Sequence, residues 1–149
     1  MNIVGHVKTS LPYITLPRSK AQRQAGKSAT RTNYLSTNKL YAGVHRMTRA
    51  NWATAYHNSS IETVVSPSVA SFPLIAYYVF NYKKKRSTSD VSNLSFMGKM
   101  IEDSLVIHKV IPDDKIDYIS EVRYRYNRVE DLDCDYVDVY FLDDTRLLL

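Results

Sequence analysis

Periodicity of apolar positions divides the chain into elements before any chemistry is considered. Phe72–Tyr82 is a long aromatic and β-branched run and predicts a central strand. Beyond it, Leu94, Met97, Ile101 and Leu105 recur at steps of three and four, the core-facing stripe of a helix. That helix is expected to begin near Ser92 or Asn93, residue types that cap well. Pro112 ends the element and leaves Asp113–Asp114 in the turn that starts the next strand. Two further β-rich runs follow, Tyr118–Tyr126 and Tyr136–Leu142, separated by the acidic loop Glu130–Asp135.

Upstream the pattern is weaker. Leu11–Leu16 is a short β-rich run that Pro12 and Pro17 confine to an edge or a strand start. Arg18–Asn33 has almost no apolar periodicity and predicts a basic, flexible segment. Val44–His57, with Met47, Trp52 and Tyr56, reads as a helix, and Asn58–Ser71, with Pro67, as a connector. The order strand, helix, strand, helix, strand, strand predicts one α+β domain over residues 1–149, a small mixed β-sheet with helices packed on one face.

Charge adds a second layer. No Asp or Glu precedes Glu62, while that stretch holds nine Lys or Arg; the remainder carries eleven basic and fifteen acidic residues. A basic surface suits a polyanion, and clustered carboxylates suit a divalent cation. No apolar run is long enough to span a membrane, and Met1–Ser10 lacks the apolar core of a signal peptide. With a single cysteine, Cys134, there is no internal disulfide and no cysteine-based zinc cluster, and a cytoplasmic location is expected.

Taken singly, each acidic residue has an ordinary structural explanation: Asp90 as a helix cap, Lys99 with Asp103 as a surface ion pair, Asp113–Asp114 as a turn. Their arrangement suggests more. Asp90 ends the loop after the central strand, Lys99 and Asp103 share the polar side of the next helix, and Asp113–Asp114 follow it. Carboxylates gathered at strand ends hold Mg²⁺ through oxygen ligands, and such a cation supports phosphodiester hydrolysis. The basic run Lys83, Lys84, Lys85 and Arg86 lies just upstream, where a DNA backbone would pass.

At these residues the chain resembles the RusA-like Holliday junction resolvases, crossover-junction endonucleases often encoded by phages and prophages. The resemblance rests on Asp90-Val91-Ser92-Asn93, on Lys99 and Asp103 followed by Leu105, and on Val110-Ile111-Pro112-Asp113-Asp114. Upstream, Leu35-Ser36-Thr37-Asn38-Lys39-Leu40-Tyr41-Ala42-Gly43-Val44-His45 is similar to a segment of phage members, with Arg49 following. The matches are in the family's order, and the strand before Asp90 and a pair of strands after Asp114 also fit it. The resemblance implies Mg²⁺ or Mn²⁺ held by Asp90, Asp113 and Asp114, with Asp90, Lys99, Asp103 and Asp114 as the catalytic set. It implies a DNA-facing set of Asn38, Lys39, His45, Arg46, Arg49 and Asn93 beside the Lys83–Arg86 run, a homodimer, and branched DNA such as a four-way junction as substrate. Two features depart from the family pattern: Ser92 stands where members carry a second aspartate, and the interval from Asn93 to Lys99 is longer. The alternative implied by Ser92 is an attenuated or inactive protein of the same fold that binds branched DNA or a host nucleoprotein.

Overall fold

A computed structural model of the chain describes residues 1–11, 13–34, 46–59, 61–83, 91–130 and 135–144. Its centre is a five-stranded mixed sheet built from β1 (Ile3–Ser10), β4 (Ile61–Val65), β5 (Leu74–Tyr82), β6 (Ile119–Arg128) and β7 (Tyr136–Asp143), in the order β4-β1-β7-β5-β6. β2 (Tyr13–Pro17) and β3 (Thr30–Tyr34) form a separate antiparallel ribbon with the short helix α1 (Lys20–Gln24) in its connection. Two longer helices, α2 (Arg46–Ser59) and α3 (Val91–Ile107), complete an α+β domain.

β5 is an interior strand, as its composition predicts: β7 pairs with it antiparallel on one side and β6 parallel on the other. A parallel pair needs a long crossover, and α3 with the turn after it supplies one. The core lies between the sheet and the helices. Val7, Ala76, Tyr78, Phe80, Val137, Val139 and Phe141 from the strands close against Tyr56 of α2 and the α3 stripe Leu94, Met97, Ile101 and Leu105. All four stripe residues are buried, so the period-3.6 pattern identifies the correct face.

Three expectations need correction, and one strand is not anticipated by the sequence. Arg18–Asn33, expected to lack regular structure, contains α1 and most of β3. Ser19 accepts a hydrogen bond from the Gln22 amide at 3.3 Å, and the Gln22 side chain accepts one from the Ser19 amide at 3.4 Å, a capping box that starts α1. The Thr-rich run that follows then pairs with β2 from Pro17↔Thr30 to Tyr13↔Tyr34. The supposed connector Asn58–Ser71 contains β4, whose Ile61, Thr63, Val64 and Val65 suit an edge strand although most of it is exposed. The N-terminal residues form β1, second in the sheet; only Gly5, Val7 and Thr9 are buried, too faint an alternation to stand out. Finally, the two strands after Asp114 are not paired with each other, because β5 lies between β6 and β7 in the sheet. Sequence adjacency favours a hairpin, but β6 is committed to the parallel side of β5.

One glycine is fixed by packing. Gly98 faces Tyr124 of β6, and a Cβ there would stand 2.7 Å from the Tyr124 hydroxyl oxygen and nearer still to its ring. Alanine gains roughly 1 kcal/mol of intrinsic helix preference over glycine, but overpacking costs about 1–3 kcal/mol. Gly98→Ala is expected to be destabilising, read as a lower urea midpoint with an unchanged slope.

Candidate active site

The site is created by the way α3 stops. Lys109 takes a left-handed conformation at φ 58°, the Lys109 amide donates to the Val106 carbonyl at 3.0 Å, and the Val110 amide donates to the Leu105 carbonyl at 2.9 Å. This is a Schellman ending, filled by lysine where glycine is usual. It reverses the chain, drives Val110 and Ile111 into the core, and returns the following turn along the helix. Asp114 thereby reaches Lys99, fifteen positions earlier and two turns back from the helix end. Asp113–Asp114 sit in the turn, as expected, but β6 does not start until Ile119.

The Lys99 ammonium hydrogen-bonds to Asp114 and lies 2.9 Å from Asp103 and 3.6 Å from Glu102. Burial works against its charge, but the hydrogen bonds to Asp114 and Asp103, with the charges of Asp103 and Glu102, hold its pKa above the ordinary lysine range. Lys99 is thus a fixed cation at neutral pH and not a proton acceptor. Glu102 is the least exposed carboxylate of the group, and burial raises its pKa, with Lys99 opposing and Asp114 adding to the rise. Its unfolded form loses the proton first, so it contributes most stability at acid pH and that contribution is lost as pH rises through the folded pKa. Asp113 accepts from the Asp114 amide at 2.8 Å and pairs with Lys115 at 2.6 Å, contacts that lower its pKa, the lysine most.

His57, near the end of α2, feels the charge of Asp103. Burial lowers its pKa, Asp103 opposes this, and His108 reinforces it. The His57 carbonyl lies 2.5 Å from His108 Nε2, while the buried His57 Nδ1 has no hydrogen-bond partner among the described residues. Nothing in the sequence pairs His57 with Asp103; that proximity depends on α2 packing against α3. Glu102 is absent from the site residues expected from the sequence, although its three-residue spacing to Lys99 signals it.

Lys99, Asp103 and Asp114 are therefore brought together, with Asp113 alongside. Asp90 lies outside the described residues, as do Asn38, Lys39, His45, Lys84, Lys85 and Arg86. Arg46 is exposed at the start of α2, and Lys83 is exposed just after β5, where its amide donates to Asp135 at 2.8 Å. Arg49 and Asn93 belong to α2 and α3, with only their backbone among what is described. The oxygen donors of Asp113 and Asp114 suit a hard cation such as Mg²⁺ in their chemistry. Among the described residues, no three His, Cys, Asp or Glu side chains form a complete metal-binding group. No helix among them is long and apolar enough to cross a membrane.

Comparison with known proteins adds no family: no family model matches the chain, and no curated protein matches it.

Proposed function

We propose that the protein is a metal-dependent endonuclease for branched DNA, of the RusA-like resolvase type, acting as a homodimer in the cytoplasm of a host cell. The observation that carries this reading is the convergence of Lys99 and Asp103 from α3 with Asp114 from the returning turn. These residues belong to two separate motifs of the resemblance, and their meeting is what a shared site requires. It also goes beyond an exposed ion pair within one helix, because a carboxylate from another segment joins it.

In this reading Asp114, Asp113 and Asp90 hold Mg²⁺ or Mn²⁺, which when bound activates water and neutralises charge on the scissile phosphate. Lys99, kept protonated by its carboxylate neighbours, donates to the phosphate oxygen as negative charge builds there. Asp103 positions the Lys99 ammonium, and the half-buried Glu102 adds a second, longer contact to it. Arg46 and Lys83 are exposed cations for the duplex arms. Homodimerisation suits a two-fold substrate, one active site for each strand cut.

A second reading keeps the fold and the DNA but not the cleavage. Ser92, in place of an aspartate beside Asn93, favours it, since one fewer carboxylate weakens a cation site. The test is cleavage of a synthetic four-way junction in Mg²⁺ against EDTA, with a linear duplex as control. The endonuclease cuts the junction in Mg²⁺ only; the binder retains the junction uncut in both.

A further inference from the structure

Among the described residues, the connection between β2 and β3 takes no part in the site or the buried core cluster. α1 buries no residue, and residues 19–31 are exposed almost throughout. Yet the segment is ordered by specific bonds. The Ser19–Gln22 capping box starts the helix, the Arg18 amide donates to the Ala29 carbonyl at 2.9 Å, and Arg18 Nε donates to the Thr30 carbonyl at 3.2 Å. An ordered element that buries little adds little to stability, so its order is better explained by what it presents. It presents Arg18, Lys20, Arg23, Lys27 and Arg31 and no carboxylate. None of these five is in an ion pair with a described residue.

We propose that this arm is a second DNA contact, a basic helical tip carried on a two-stranded ribbon, which enters the major groove of a duplex arm and engages its phosphates through Lys20 and Arg23 of α1, Lys27 after it and Arg31 of β3. The dimensions fit. A helix with its side chains is about 10–12 Å across, so the tip formed by α1 enters a groove about 12 Å wide but not a minor groove of about 6 Å. Uncompensated cations with no carboxylate among them match a polyanion and repel basic partners. Arg18 is excluded from the contact set because its Nε is already used to hold the tip. The arm deepens the junction reading by naming where a duplex arm is held, and it rests on that reading for the choice of DNA.

The test measures binding, not cleavage. A variant carrying Lys20→Gln, Arg23→Gln, Lys27→Gln and Arg31→Gln is compared with the unaltered chain by fluorescence anisotropy on a labelled linear duplex across a salt series. Each phosphate that is no longer neutralised lowers the slope of log affinity against log salt by about 0.9, so the four substitutions together remove up to about 3.6. A variant carrying only Arg23→Lys and Arg31→Lys keeps the charge and should keep the slope. Unchanged thermal melting of both variants separates a missing DNA contact from a damaged fold. An unchanged slope in the four-fold variant overturns the arm, even where the junction is still cut. A lowered slope supports the arm even where no cleavage occurs and the nuclease reading fails. Tighter binding to single strands than to duplex overturns the groove assignment. Sedimentation with phosphatidylglycerol vesicles, abolished in the variant while duplex binding is unaffected, replaces it with a membrane contact.

Discussion

Replacing Asp114 with Asn is expected to abolish junction cleavage while leaving junction affinity unchanged or improved. The substitution keeps the shape of the side chain and removes its charge. If the carboxylate holds a catalytic cation, the chemical step slows by a factor of at least about 10²–10³, by analogy with the removal of one electrostatic group from other active sites. Binding moves the other way, because one negative charge no longer repels the phosphate. The fold should survive, since Lys99 keeps Asp103 at 2.9 Å and Glu102 at 3.6 Å. Single-turnover rates on a junction, with affinity measured separately in Ca²⁺, check both halves. A fall in affinity matched to the fall in rate would make Asp114 a binding residue and nothing more.

Lys99→Ala should produce a different signature. The ammonium touches Asp114, Asp103 and Glu102 together, so its removal leaves three carboxylates facing one another. The cleavage rate is expected to fall on the order of 10²-fold, with a smaller decrease in affinity, if the charge acts mainly on the transition state. Stability should also fall at neutral pH, by at most about 1 kcal/mol, because an exposed lysine is screened by solvent. Lys99 opposes the upward shift of the Glu102 pKa, so without it that pKa rises further, acid relieves the repulsion and the stability deficit shrinks as pH falls. Lys99→Arg restores the charge and hence the stability, but not the full rate, because a planar guanidinium does not reproduce the position of a compact ammonium. Thermal melting of the three proteins from acid to neutral pH, beside their rates, checks this pattern. Equal rates in Lys99→Ala and the unaltered chain would leave Lys99 a surface ion pair.

These two residues also mark what is legible in the sequence. The α3 stripe, the interior character of β5 and the placement of Asp113–Asp114 in a turn follow from periodicity and from Pro112, because strong burial leaves a strong pattern. The Lys99–Asp103 pair follows from helical spacing. Its meeting with Asp114 depends on a chain reversal at Lys109, and lysine in a left-handed ending gives no glycine signal to read. β1 and β4 are hidden for a related reason: Gly5 and Thr9 are buried but give a weak apolar signal, and exposed β4 has no alternation to show. The β2–β3 ribbon gives almost no apolar signal beyond β2 itself, and only the Ser19-x-x-Gln22 spacing announces the order of its connection.

The most direct measurement of the central claim is strand cleavage of a labelled four-way junction by the unaltered chain and by Ser92→Asp, each in Mg²⁺, Mn²⁺ and EDTA, with a linear duplex alongside. Paired cuts are expected in the junction that need the cation and spare the linear duplex, with Ser92→Asp at least as active as the natural sequence. If both proteins bind the junction and neither cuts it with Mg²⁺ or Mn²⁺, the chain is a binder of branched DNA and not an endonuclease.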